Sequence, residues 1–346
     1  MLRPGGSQGS SEMSMREKDI REANMSLWRD AWRRLKARRS AAACLLVVGA
    51  YALLALYGEG VYWYYYLRDE TPPYNRVNLE AQYLPPSVFR APFRMPAGAA
   101  SPEGWRMHLV RLRFGLRNLL RHPLGTDGLG RDVLQRTIQG ARIAFQVGIV
   151  TSLIAIPIGL VLGLIAGYFG GRVDDVIVWL YSTFASIPGL LFILAVAMVV
   201  GRGLTGVYLG IGLTTWVGLC RLIRGEVIKH RGRPYVEAAR ALGFGHVRIM
   251  FRHILPNVFH IVLVTFTLRF PAAVNTEVIM SFLGIGVQGE PSWGIMISNA
   301  RLRLWHGIWW ELAAATVAIF GIVLAFNLLG DALRDALDPR LRTGRT

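Results

Sequence analysis

Arg269 and Glu277 stand inside an otherwise apolar run that begins at Val258 and reaches about Met280. At ~1.5 Å per residue from Val258, Arg269 lies roughly 16 Å along a helix, near the middle of a bilayer about 30 Å thick. A charge exposed to lipid there costs about 2.5–3.5 kcal/mol on insertion scales, so both residues are expected to face a cavity or a partner subunit. Two chemistries fit. One is a polar translocation path in which Arg269 meets a substrate carboxylate; the other is a purely structural pair, or charges bonded across a subunit interface. Pro271, between them, is expected to kink or break the helix. His122 with Asp127 and Asp132 has acid–base side chains, but no nucleophile or third partner completes a catalytic set.

Other reaction chemistry is missing. The three lysines, Lys18, Lys36 and Lys229, precede Asp, Ala and His, so no G-x-x-x-x-G-K-[ST] phosphate loop exists. H-E-x-x-H does not occur, nor does G-x-S-x-G or G-x-G-x-x-G in a strand-to-helix setting. Cys44 and Cys220 lie singly in or beside apolar runs, without a Cys/His cluster, and read as small buried hydrophobes. The chain is therefore expected to be no enzyme and to hold no metal or cofactor. Energy for any active process has to come from another polypeptide.

A second constellation is built for contact. Tyr235 to Asn257 is a polar, basic segment between two apolar ones. Val236, Ala239 and Leu242 recur at helical spacing, and Gly243 and Gly245 end that helix. Val247, Met250, Phe251 and Ile254 then form an i, i+3, i+4, i+7 stripe beside Arg248 and Arg252, and Pro256 is expected to close this second helix. An amphipathic helix pair on one side of a membrane protein offers a handle to a soluble partner.

The elements that position these residues are membrane helices. The chain is 53% hydrophobic over 346 residues, more than one soluble core requires. Six runs are long enough, or nearly so, to cross a bilayer: Ala41–Tyr57, Ala144–Phe169, Val176–Val200 interrupted by Pro188, Gly206–Cys220, Val258–Met280 and Ile308–Leu329. Tyr62, Trp63, Tyr64, Tyr65 and Tyr66 suit a membrane interface. The polar stretch before the first run is too long for a secretory n-region, so that run reads as an uncleaved span. The net charge of +17 is carried around the apolar runs and not as a stripe, which points to lipid and not to nucleic acid. Arg29, Arg33, Arg34, Lys36, Arg38 and Arg39 place the N-terminus in the cytoplasm. Six crossings return the C-terminus there, with Arg334, Arg340, Arg342 and Arg345. Arg221, Arg224, Lys229, Arg231, Arg233, Arg240, Arg248 and Arg252 likewise assign the loop between the fourth and fifth spans to the cytoplasm. Arg131, Arg136 and Arg142 sit against this rule in a loop expected outside, although loops longer than about 60 residues largely escape it.

Tyr235–Asn257 resembles the cytoplasmic coupling loop of ATP-binding-cassette importers: E-A-A, three residues, G, nine residues, then I-x-L-P. Glu237, Ala238, Ala239, Gly243, Leu255 and Pro256 fall in place, while His253 takes a slot that is apolar in the general pattern. F-R-H-I-L-P-N instead is similar to the dipeptide, oligopeptide and nickel permease branch. So are H-P-L-G-T-D-G-L-G-R-D-V-L at 122–134, S-F-L-G-I-G-V-Q at 281–288, P-S-W-G at 291–294 and N-L-L-G-D-A-L-R-D-A-L-D-P-R at 327–340. The resemblance covers most of 122–340 and points to the second of two permease chains. It implies an all-α, six-span type I importer permease without catalytic residues, whose coupling residues are the six just named. A glutamate recurs in the family at the Glu277 position; Arg269 is not part of the pattern.

The implied layout is a cytoplasmic tail (1–40), a first transmembrane helix (41–57), an extracytoplasmic loop leading into the bundle (58–143), a five-helix core (144–330) with coupling loop 221–257, and a cytoplasmic tail (331–346). Asp331, Arg334, Asp335 and Asp338 suit a short amphipathic helix at the membrane surface. The implied partners are a homologous second permease, two ATPase subunits that bind ATP and Mg, an extracytoplasmic solute-binding protein and the lipid bilayer. The implied cargo is an oligopeptide or dipeptide. The competing reading, an ATP-independent secondary transporter or channel using Arg269 and Glu277, predicts an internal repeat that the first and last three spans do not show.

Overall fold

A computed structural model describes residues 38–87 and 122–337. Arg29, Arg33, Arg34, Lys36, Pro92, Pro96, Pro102, Asp338, Arg340, Arg342 and Arg345 lie outside the described residues. Within them the architecture is helical, with a single isolated bridge between Thr126 and Asp132.

Helix α1 (Arg39–Tyr66) exceeds the expected 41–57 because the aromatic cluster stays helical, Tyr62 stacking on Tyr66 one turn later at 5.7 Å. Helix α2 (Val133–Phe169) starts well before Ala144. Asp132 caps it by accepting from the Gln135 N–H at 3.0 Å, and its polar first turns hide it from a search for apolar runs. Pro157 lies within α2 without ending it. The third run is two helices, α3 (Gly171–Ser186) and α4 (Gly189–Val200), bent by 92°. Ile187 precedes Pro188 and is driven into extended geometry.

The next crossing, 204–231, is interrupted at Thr215–Trp216 between α5 (Leu204–Thr214) and α6 (Val217–Arg231). Arg221, Arg224, Lys229 and Arg231 thus belong to a helix and not to the loop expected at 221–257. Arg221 lies over the Tyr181 ring at 4.8 Å, and Arg224 grips Asp174 with two bonds of 2.5 and 2.6 Å.

After the short α7 (Pro234–Ala241), a turn at His246–Arg248 and a π-helical turn at Ile249–Ile254 run directly into α8 (Leu255–Phe282). Pro256 therefore opens a helix instead of closing one. A proline in the first turn has no N–H to satisfy there, and the wider π turn before it makes room for its ring. Pro271 lies inside α8 and does not break it. Helix α9 (Trp293–Ala300) and helix α10 (Trp310–Leu337) complete the fold. Asp331, Arg334 and Asp335 lie on the last turns of α10 and not on a separate surface helix, and Asp335 pairs with Arg38 at 2.7 Å.

Helices α1, α2, α5–α6, α8 with its preceding turns, and α10 are each long and apolar enough to cross a membrane. The bent pair α3–α4 makes a sixth crossing: it starts where α2 finishes, and beyond it the Gly203 N–H reaches Ile285 O at the other end of the bundle. The end holding α7 is termed basal here, and the end holding 73–87, 122–132 and 284–309 apical.

Helix α2 is the central post. Gly159, Gly163 and Gly167, four residues apart, lie against α6 so closely that a Cβ would come within 2.7–2.8 Å of Trp216 O, Cys220 O and Val227 Cβ. Phe270 of α8 stacks on Phe326 of α10 at 3.9 Å, and Trp293 of α9 donates to Thr137 O of α2 at 3.0 Å. Cys44 and Cys220 are buried free thiols. Leu46, Leu53 and Leu56 on α1 and Val317 and Phe320 on α10 face outward, as a lipid solvent requires.

Candidate coupling surface and buried charges

Helix α7 begins with Pro234, whose fixed φ suits a first helical position. Its buried side, Val236 and Ala239, packs on Leu164 and Tyr168 of α2, Leu219, Ile223 and Val227 of α6, and Ile249, Met250 and Ile254. Glu237 and Ala238 are exposed. The helix stops at Gly243, with φ +77°: its N–H donates to Arg240 O and the Phe244 N–H to Ala239 O, the paired bonds of a Schellman ending.

Three expected core positions face outward instead. Leu242 is 61%, Val247 66% and Phe251 45% exposed, while Met250 and Ile254 are buried together with Ile249. The π turn shifts the period, so a stripe counted at 3.6 residues per turn loses two of its four members to the surface. Leu255 is half-buried against the cluster and Pro256 is exposed.

Polar contacts fasten the segment from below. Tyr168 Oη meets His246 Nδ1 at 3.0 Å and Tyr235 Oη meets His230 Nδ1 at 2.8 Å; burial pushes the Tyr235 hydroxyl up. Phe244 stacks on His253, and Arg248 lies over Phe244 at 4.4 Å. The result is a rigid platform presenting Glu237, Ala238, Leu242, Val247 and Phe251.

Arg269 and Glu277 are not brought together. Arg269 donates through Nη1 to Thr215 O and through Nη2 to Thr215 Oγ1, where the α5–α6 crossing is interrupted. Glu277 is 1% exposed and accepts from Ser281 Oγ at 2.6 Å; that hydroxyl in turn accepts from the Val287 N–H at 3.0 Å. Glu277 thereby anchors the chain reversal after α8.

At the apical end the motif 122–134 forms a folded knot. Asp127 accepts from the Leu129 and Arg131 N–H groups at 2.9 and 3.0 Å and from Arg131 Nε at 2.8 Å. His122 Nδ1 meets Asp132 at 2.7 Å. Trp310 donates to Thr126 O at 2.9 Å.

The out-of-place arginines also find their role here. Arg136 and Arg142 are 2% and 3% exposed. Arg136 faces Asp127 at 3.6 Å; Arg142 bonds Glu290 at 2.9 Å, faces Glu59 at 3.8 Å and lies over Tyr62 at 4.1 Å. Burial holds the Glu290 carboxyl above its ordinary range, with Arg142 pulling it down; burial and Glu290 together push the Tyr74 hydroxyl up. Sequence reading missed Glu59 and Glu290. Their only signal was a surplus of arginine, in a region expected outside, that required acid partners.

Six crossings, a small-residue helix seam and an exposed helical platform at one end define a polytopic membrane protein. Comparison with known proteins supplies its role. Residues 159–343 match the family of binding-protein-dependent transport system inner membrane components, and residues 26–86 match the N-terminal transmembrane domain of oligopeptide transport permease C. The dipeptide transport system permease protein DppC of Bacillus subtilis (strain 168) is 34% identical over 94% of this chain and 90% of its own length. The oligopeptide transport system permease protein OppC of the same organism is 31% identical over 93% of each chain. The glutathione transport system permease protein GsiD of Pectobacterium atrosepticum is 39% identical over 64% of this chain and 74% of its own length. The chain belongs to the family of inner-membrane permease components of binding-protein-dependent ATP-binding-cassette importers.

Proposed function

We propose that this permease forms half of a translocation path for short peptides and transmits the work of two ATPase subunits through its basal platform. The observation that carries this reading is the seating of α7. Val236 and Ala239 are buried in the cluster it shares with α2, α6 and α8, while Glu237, Ala238, Leu242 and Phe251 are left for a partner. Force applied to such a platform moves whole crossings, because α6 and α8 enter the same packed cluster.

In this reading a homologous second permease completes the path, an extracytoplasmic binding protein delivers the peptide, and ATP and Mg are held by the ATPases. No cofactor is assigned to this chain. The basal end and both termini are cytoplasmic in a bacterial inner membrane, as the arginine distribution favours. ATP-driven closure of the ATPases draws the two coupling segments together and opens the path outward; hydrolysis returns it inward. Peptide cargo is inferred from the dipeptide, oligopeptide and glutathione permeases that the chain resembles.

The test is co-purification of the tagged chain from its native membrane in mild detergent, read by mass spectrometry. A second permease and ATPases, released when Glu237 and Gly243 are both replaced, are expected. A stable homo-oligomer without ATPase would overturn the reading.

A further inference from the structure

Three crossings are interrupted or charged at similar depth. Helices α3 and α4 part at Ile187–Pro188, α5 and α6 at Thr215–Trp216, and Arg269 lies at the middle of α8, about 20 Å from either end at ~1.5 Å per residue. They are neighbours: Arg269 reaches Thr215, the Trp216 ring meets Phe184 at 5.4 Å, and Phe184 meets Phe192 across the bend at 5.2 Å. Ser182, Thr183 and Ser186, just before the bend, are exposed. Thr183 Oγ1 donates to Trp179 O at 2.9 Å and Ser186 Oγ to Thr183 O at 2.8 Å, so it is the broken helices that point to a cavity. Interrupted backbone at membrane depth is tolerated where it lines a polar cavity or is covered by protein, not where it meets lipid.

Arg269 is a cation of this zone, and its partners are neutral. Thr215 supplies a carbonyl and a hydroxyl, the latter already donating to Ile211 O at 2.5 Å. No carboxylate lies within ion-pair distance of Arg269 among the described residues, and Glu277, eight residues on, is engaged by Ser281. Thr215 takes the end of the guanidinium where Nη1 and Nη2 point. The other edge, Nε with Nη2, keeps two parallel N–H groups, and Nε is buried without an acceptor. That edge matches the fork of a carboxylate. A guanidinium kept at this depth without a counter-ion is costly unless one arrives during the working cycle.

We propose that Arg269 is a carboxylate-binding residue of the translocation path, parked on Thr215 in this conformation and engaging the terminal carboxylate of a peptide in transit. The proposal rests on the importer reading above. Because Nε is enclosed, the site opens only when the crossings around the α3–α4 bend move apart.

The experiment uses the complete transporter in proteoliposomes with its wild-type binding protein, and compares ATP-driven uptake of trialanine with that of trialanine amide. The binding protein is common to every assay, so its own preference cancels when each variant's acid-to-amide ratio is divided by that of wild type. Arg269→Gln is expected to lower that ratio by about tenfold, the order expected for loss of a charge-assisted bond, while ATP hydrolysis stimulated by loaded binding protein persists. Arg269→Lys, which keeps the charge but loses the fork, is expected to lower the ratio by clearly less than Arg269→Gln.

An unchanged ratio in Arg269→Gln, or equal loss of both peptides, would show a structural residue and overturn the site. Should Arg269→Gln fail to assemble, Arg269→Lys decides: a ratio that falls as far as the glutamine variant was expected to fall overturns the proposal. Failure of the wild-type complex to import either peptide would remove the importer-of-peptides reading, and the site with it.

Discussion

Gly243 shows how much one residue position can reveal before any fold is known. A glycine after a short apolar helical stripe implied a left-handed stop, and φ +77° with two reverse hydrogen bonds is what stands there. Nothing crowds its Cα, so Gly243→Asp is costly through backbone strain, about 1 kcal/mol, and through a new charge on the platform. We predict that Gly243→Asp and Glu237→Lys each leave membrane insertion intact but separate ATP hydrolysis from transport. Wild-type uptake per ATP in a purified complex carrying either change would refute this. Gly130 is a stricter case: with φ +71° and its Cα against Asn78 O, it has no room for a methyl group. Gly130→Ala is expected to destabilise the apical knot by on the order of 1–3 kcal/mol, seen as a lower melting temperature in detergent. Ser281→Ala removes the hydroxyl shared by Glu277 and the Val287 N–H and is expected to cost ~1–3 kcal/mol in the same assay. A melting temperature equal to wild type would show that Ser292, the carboxyl's other hydroxyl partner, suffices.

At the scale of elements, proline and arginine were the signals most easily misread. Pro188 splits a crossing by 92°, whereas Pro157 and Pro271 are carried within helices, and Pro256 begins one. The ring is the same in all four. The outcome depends on whether neighbouring helices hold the chain straight and whether a wider turn precedes it, which is a matter of packing. Pro256→Ala is therefore expected to keep α8 intact and change stability by less than about 1 kcal/mol, since first-turn prolines add little. A large loss would mean that the proline itself sets the π turn. The opening turns of α2 were invisible for a related reason. Arg136 and Arg142 look like loop residues until Asp127, Glu59 and Glu290 arrive from three other segments to neutralise them, and Gln139 donates to Gly58 O at 3.1 Å. Arg142→Met should release Glu290 from α2 and loosen the Tyr74 turn, which Arg136 still holds through Tyr74 O and Asn75 Oδ1. Hydrogen exchange of 73–87 and 284–292 is the measurement, and unaltered protection there would contradict the latch.

For the whole molecule, an even number of crossings places Arg38 beside Asp335 at the basal end, so the first and last described helices start and finish on one side. Reporter fusions after Leu337 and within 73–87 are expected to fall on opposite faces of the membrane, with the former cytoplasmic. The opposite result would invert the orientation inferred from arginine counts and move the platform out of reach of an ATPase. The same platform also accounts for the exposure of Leu242, Val247 and Phe251, which no single-chain core requires.

The sequence by itself determined the helical class, the apolar runs that become the crossings, the family motif at 237–256 and the turn chemistry at Gly243. Each of these is a local property: an apolar length, a fixed spacing, a residue suited to one backbone region. Only the tertiary structure decided that Arg269 rests on the interruption at Thr215, that Glu277 serves the loop after α8, that Leu242 and Phe251 face outward, and that Arg142 is neutralised by Glu59 and Glu290. A buried charge is satisfied by whatever the fold brings alongside it. Those partners lie tens to hundreds of residues away in the chain, where periodicity and propensity carry no information.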